Sequence, residues 1–148
     1  MPPEQETYLL KDCMVVHRGF GELVFPVPGA LESHYCVPAG IKGIGPFAFT
    51  HMHLLQEIDF PEGVEYVAEG AFEFCKELRR VHFPESLTTL GDLVFVGCDN
   101  LSEINLPSNL HHFGQNCIFP EKNLCVTVAK GSDALDYCCQ HQIHYDIR

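Results

Sequence analysis

The chain has 148 residues, of which 46% are hydrophobic, with 20 acidic against 9 basic side chains and a formal net charge of −11. The charge argues against nucleic acid, which needs a basic face to displace counterions, and against anionic membranes. The hydrophobic share is that of a single folded domain rather than a disordered chain, and no run approaches the roughly 18 apolar residues of a membrane span.

At the front, Met1 to Glu6 have neither a basic start nor an apolar stretch, so no export signal is visible. A cytoplasmic location is expected if Met1 is the native start, and a surface or secreted one if a signal peptide has been removed. Gly19-Phe-Gly21 matches no phosphate loop and reads as a turn. From Pro38 onward the chain is periodic: proline recurs at Pro61, Pro84 and Pro107, every 23 residues. A fixed period in this range marks a solenoid, one coil per repeat.

Whole columns agree in this register. Val37, Phe60, Phe83 and Leu106 precede the prolines, and Ile41, Val64, Leu87 and Leu110 follow three residues after them. Then come Ile44, Val67, Leu90 and Phe113, each followed by a small residue (Gly45, Ala68, Gly91, Gly114), and the pairs Ala48-Phe49, Ala71-Phe72, Val94-Phe95 and Cys117-Ile118. The stretches Leu55 to Phe60, Leu78 to Phe83 and Leu101 to Leu106 end in apolar/polar alternation, the pattern of a half-buried strand. Proline cannot donate to a ladder, so it sits where the strand ends and the chain turns a corner. Gly70-Ala-Phe72 and its counterparts read as about one helical turn that inserts an aromatic ring into the core. Parallel strands lie about 4.7 to 4.9 Å apart, so equivalent side chains are expected to stack in ladders, and Phe49, Phe72 and Phe95 to form one of them.

The unit Phe60-Pro-Glu-Gly-Val64-Glu-Tyr-Val67-Ala-Glu-Gly-Ala-Phe72-Glu-Phe-Cys75-Lys-Glu-Leu78-Arg-Arg-Val81 resembles the BspA-type leucine-rich-repeat family. The resemblance implies an α/β fold: a short leucine-rich-repeat solenoid with stacked parallel strands, an N-terminal hairpin cap and a C-terminal helix-strand cap. Tyr8 to Val16 looks like the family's opening hairpin, with Lys11-Asp12 as its turn. Val126 to Ser132, the helix-like Asp133 to Tyr137 and Ile143 to Ile147 look like its closing cap. One domain follows, with residues 1–37 as cap and partial coil, 38–60, 61–83 and 84–106 as full coils, 107–128 as a short coil and 129–148 as the C-terminal cap. The pattern is broken where Met52 and Glu121 replace the cysteine of Cys75 and Cys98, and where Pro26 to Tyr35 fit no complete coil. The resemblance also implies a bacterial-type interaction or adhesion module with no shared catalytic motif.

Eight cysteines are present, none in a Cys-x-x-Cys. Cys75 and Cys98 share a column whose side chains point alike, so they are expected to be buried thiols rather than a bridge. Cys13, Cys36, Cys117 and Cys125 are scattered. Three groups could ligate a metal: His51 with His53, His111 with His112, and Cys138 with His141 and His144. None offers three or four converging ligands on sequence grounds, so no metal or other cofactor is expected. Cys138 reads instead as the inward residue of an amphipathic helix with Ala134 and Tyr137. No nucleophile with an oriented base is visible, and no enzyme is expected. Asn100-Leu-Ser102 meets the N-glycosylation pattern, but Leu101 belongs to a core column.

What remains is the solvent face of the strands. Glu57, Arg80 and Glu103 fall in one column, which places an arginine between two carboxylates, and Asp59, His82 and Asn105 fall in the next outward column. His82 beside Asp59 is expected to favour its protonated form. With Gln56, Arg79 and Ser102 at the edge, these residues form the candidate interaction face of a non-catalytic protein-binding module whose partner is another protein. The alternative is a structural unit that self-associates into a homo-oligomer, or an adhesion-type surface domain.

Overall fold

The computed structural model describes residues 8–11, 14–17, 19, 21–26 and 33–148. Of the sequence features above, Met1 to Glu6, Asp12 of the expected hairpin turn, Cys13, Phe20 and residues 27–32 of the stretch that fits no complete coil lie outside these residues.

Strand β1 (Tyr8–Lys11) pairs antiparallel with β2 (Met14–His17), as the cap resemblance implies, and β2 pairs antiparallel with β3 (Glu22–Pro26). Gly21 makes the turn between β2 and β3, with φ 61°, and its N–H donates to the His17 carbonyl at 2.9 Å. The coils follow as β4 (His34–Cys36), β5 (Gly43–Ile44), β6 (Glu57–Asp59), β7 (Tyr66–Val67), β8 (Arg80–His82), β9 (Thr89–Leu90), β10 (Glu103–Asn105), β11 (His112–Phe113) and β12 (Cys125–Val128). Helix α1 (Asp133–Gln140) and strand β13 (Tyr145–Ile147) end the chain. The result is a parallel-strand solenoid of about five turns.

Each coil feeds two sheets. One has six strands, all parallel, in the order β13-β12-β10-β8-β6-β4; the other has seven, in the order β1-β2-β3-β5-β7-β9-β11. In the first, Ile58 pairs with Val81 and Val81 with Ile104, the 23-residue register read from the sequence. These inward residues are wholly buried. The rings of Phe49, Phe72 and Phe95 stack with centroids 5.1 and 5.6 Å apart, and those of Phe60 and Phe83 at 5.2 Å.

The segment around each aromatic differs from the expected helical turn. Phe47, Gly70, Leu93 and Asn116, equivalent in the four coils, have φ of 55°, 60°, 54° and 49°, whereas an α-helix needs about −63°. The N–H groups instead alternate between two destinations. That of Glu73 bonds back to Gly70 at 2.9 Å, while that of Phe72 crosses to Val94 of the next coil at 3.0 Å. The turn is therefore a third line of coil-to-coil hydrogen bonds.

Cys75 and Cys98 are buried free thiols, as expected, and each S–H donates 3.0 Å to the carbonyl of the aromatic residue one coil back, Phe49 and Phe72. The small-residue column is a point of backbone contact: a Cβ on Gly91 would lie 2.6 Å from the Glu69 nitrogen. At the C-terminus, Ser132 caps α1 by accepting from the Leu135 N–H at 3.2 Å, and Ala134, Tyr137 and Cys138 face the core. No helix among the described residues is long and apolar enough to cross a membrane.

Candidate functional site: the outer face of the six-stranded sheet

Side chains alternate along a strand, so with Ile58, Val81, Ile104 and Val126 inward, two columns must point out. The strand register makes one of them His34, Glu57, Arg80, Glu103 and Cys125. The other is Cys36, Asp59, His82, Asn105, Thr127 and Asp146. Six of the nine residues proposed from sequence thus share one surface. Gln56, Arg79 and Ser102 stand one position ahead of the strands, where their carbonyls accept the N–H groups that lead into the strand of the next coil, as when Gln56 takes both Arg79 (2.7 Å) and Arg80 (3.1 Å). They edge the face and tie the coils together.

The expected charge pattern is half realised. Arg80 forms an ion pair with Glu57, and among the described residues none joins it to Glu103, because the guanidinium is committed to the coil before its own. Asp59 does not serve His82: its carboxylate receives the Nε2–H of His34 at 2.6 Å from the preceding coil. Asn105 is half-buried and structural, since its amide donates to the Phe83 carbonyl (2.8 Å) and accepts from the Phe83 N–H (2.7 Å). That clamp stands in for a missing rung at the end of β8. His82 and Glu103 are exposed and, among the described residues, carry no side-chain hydrogen bond or ion pair.

The sequence reading did not place His34 or Asp146 on this face, left Cys36 and Cys125 as scattered cysteines, and grouped His144 with Cys138 and His141 instead. Stepping the period back 23 residues from Glu57 and Asp59 reaches His34 and Cys36, so the signal was present in a segment set aside as fitting no complete coil. Cys125 lies 22 residues after Glu103 because the fourth coil is one residue short, and it pairs with Glu103 in the sheet.

Of the histidine groups picked from sequence, His51 and His53 meet ring edge to face at 6.2 Å, whereas His111 and His141 turn to other partners. The Nδ1 of His51 bonds the Thr50 hydroxyl at 2.9 Å, with its ring 5.2 Å from that of Phe74. His111 is held by Asp133 at 2.7 Å, and His141 lies over the Tyr137 ring at 4.2 Å. His144 is drawn away from Cys138 and His141 into a group with Cys125 and Asp146. Asn100 spends its side-chain amide on the Lys76 carbonyl at 2.8 Å. A groove of about 670 Å³ runs between the last coil and α1, lined by residues including His111, Phe113, Asp133, Tyr137 and His141.

Burial pushes the Cys75 thiol up to about 12 and that of Cys138 to about 11, and it also raises Cys98 and Cys117. At neutral pH these groups are thiols, not nucleophilic thiolates. Elsewhere Glu85 ties its own coil to the next and to the C-terminal cap: it accepts from the Ser108 N–H (3.1 Å), the Ser108 hydroxyl (3.0 Å) and Arg148 (2.6 Å). Desolvation, which would raise its pKa, is outweighed by these donors, and the carboxyl titrates below its ordinary value.

With the coil geometry established, comparison with known proteins decides the family. Residues 31–139 match the BspA type Leucine rich repeat region in six copies. The chain belongs to the BspA-type leucine-rich-repeat family. This BspA-type chain is similar in structure to the pneumococcal vaccine antigen PcpA, with 24% identity and a TM-score of 0.76 over 85% of the chain and 31% of PcpA. It is also similar to a leucine rich cell surface protein from Faecalibacterium prausnitzii, with 21% identity and a TM-score of 0.77 over 95% of the chain and 40% of that protein. A leucine-rich repeat protein from Bacteroides capillosus matches at 20% identity and a TM-score of 0.73, over 83% of the chain and 99% of its own length. At these identities the likeness is one of fold. The chain spans well under half the length of the first two. No curated protein sequence is significantly similar to it.

Proposed function

We propose that this protein is a non-catalytic protein-binding module that docks a partner bearing basic side chains on the outer face of its six-stranded sheet. One observation carries the reading: with Arg80 neutralised by Glu57, the face is left with the carboxylates of Asp59, Glu103 and Asp146 and no other arginine or lysine in its two columns. They stand on strands held in register by parallel ladders, so the charge pattern is preorganised, which lowers the ordering cost of binding. A net charge of −11 adds long-range steering toward a cationic surface. The buried, protonated thiols support the non-catalytic part.

The reading is tested by capturing a partner with a photoreactive residue in place of His82, then measuring the affinity of that protein for the unmodified chain and for Glu103→Lys. Glu103 is exposed and free of internal bonds, so the substitution leaves the fold intact. Affinity is expected to fall at least about tenfold at low salt, the direction expected when like charges are placed together at an interface, and the gap between the two forms to narrow as added salt screens the charges. Equal affinity of the two forms, at low and high salt, would move the binding surface elsewhere.

A further inference from the structure

Each end of the outer face gathers a thiol, an imidazole and a carboxylate, of which the docking reading uses only the carboxylates of Asp59 and Asp146. At one end, β4 places His34 and Cys36 two residues apart on the same side, and β6 sets Asp59 directly beside Cys36. The His34 Nε2 lies 2.6 Å from the Asp59 Oδ2 and 3.8 Å from the Cys36 Sγ. At the other end, β12 offers Cys125, and the chain entering β13 offers His144 and Asp146, again two residues apart. The Cys125 S–H donates to the Asp146 Oδ2 at 3.3 Å. Within each trio the ligand atoms all lie within 4.8 Å of one another.

A thiol, an imidazole and a carboxylate in contact invite two chemistries, a nucleophile with its base or a metal ion. A catalytic relay needs the imidazole to use its two nitrogens in opposite directions, one toward the nucleophile and one toward the carboxylate. In the His34 group a single nitrogen faces both partners. Three ligand atoms converging on one point is the arrangement of a metal site. Each trio holds only one cysteine, so a disulfide within it is impossible.

We infer that the outer face binds divalent zinc, or a cation of the same borderline-soft class, at His34, Cys36 and Asp59, and a second ion at Cys125, His144 and Asp146, which a different pair of strands brings together. Thiolate with imidazole selects such an ion over magnesium or calcium, which prefer all-oxygen sites. Zinc bonds of about 2.0 to 2.3 Å in a tetrahedron separate the ligand atoms by about 3.3 to 3.6 Å. The His34 to Asp59 contact need open by less than about 1 Å, while Cys36 already stands near that distance. Strands carry every ligand but His144, whose carbonyl accepts the Val126 N–H at 3.0 Å just before β13, so only side-chain torsions must adjust. Three protein ligands leave the fourth position open to water or to a side chain from a docked protein.

The test uses the full chain, reduced and free of metal, titrated with Co²⁺ alone and followed by the thiolate-to-cobalt charge-transfer band, with Zn²⁺ then added to displace it. Two equivalents are expected. Cys36→Ser and Cys125→Ser should each halve the band, the double variant should abolish it, and Cys139→Ser, which removes an exposed thiol outside both trios, should leave it unchanged. Asp59→Asn should keep the band and weaken Zn²⁺ binding about tenfold at that site. No band in the unaltered chain would overturn both sites; a full band in Cys36→Ser would overturn the first and in Cys125→Ser the second. Unchanged Zn²⁺ affinity in Asp59→Asn would remove Asp59 from the ligand set. Circular dichroism of each variant separates loss of metal from loss of fold, and because the docking experiment varies Glu103, which lies outside both trios, the two outcomes are distinguishable.

Discussion

Phe72→Ala is expected to cost about 3 to 5 kcal/mol of stability, the range for truncating a buried aromatic. The Phe72 ring is wholly buried between those of Phe49 and Phe95, at 5.1 and 5.6 Å, and meets Phe60 edge-on at 6.2 Å. The spacing of its coil is set on three sides by cross-coil hydrogen bonds, so the walls of the vacated space are poorly able to collapse, the condition under which such costs are highest. Urea unfolding of the variant against the unaltered chain gives the number. His111→Ala provides the contrast: His111 is exposed and paired only with exposed Asp133, and should cost less than about 1 kcal/mol. Similar costs for the two would mean that the aromatic column is not the core.

Alkaline pH is expected to unfold the protein well before it harms one with exposed thiols. Cys75, Cys98, Cys117 and Cys138 are buried and burial raises the pKa of each, Cys75 to about 12 and Cys138 to about 11. The unfolded chain releases thiol protons from about pH 8.5 upward while the folded chain keeps them. The stabilisation is therefore complete below that pH and is lost as pH rises toward the folded-state values. Each thiol contributes a slope of up to about 1.4 kcal/mol per pH unit, so four together remove several kcal/mol between about pH 9 and 11. Urea midpoints measured at pH 8, 9.5 and 10.5 should fall steeply, and Cys75→Ala should flatten the fall by about a quarter of its slope. A midpoint that stays level through pH 10.5 would contradict the buried positions of these thiols.

The repeat was readable because every coil must offer the same small set of shapes to its neighbour. Parallel ladders repeat one spacing, and a column such as Ile58, Val81 and Ile104 can be filled only by side chains of like size and polarity. Conformation inside a coil was less legible. Phe47, Leu93 and Asn116 adopt positive φ, which sequence alone assigns most readily to glycine, and only Gly70 marks that position with the expected residue. The third line of hydrogen bonds was missed for the same reason. Strand β3 was missed because its partner β5 lies across the unpatterned segment that precedes the coils.

On the outer face, the columns were legible and the pairings were not. Column membership follows from the period, but which carboxylate Arg80 chooses, or that Asp59 turns to His34, depends on side-chain torsions that no spacing encodes. His34 and Cys36 were within reach of the same period and were lost only because the coil containing them begins in a stretch without the repeat's other landmarks.

The register itself can be observed directly by NMR in solution, through backbone contacts between α-protons and amides of neighbouring strands. Cross-strand signals are expected to link Ile58 with Val81 and Val81 with Ile104, placing Glu57, Arg80 and Glu103 side by side. A slip of one residue would turn every outward side chain inward, so signals joining Ile58 to His82, or Val81 to Asn105, would remove the face on which the binding proposals rest.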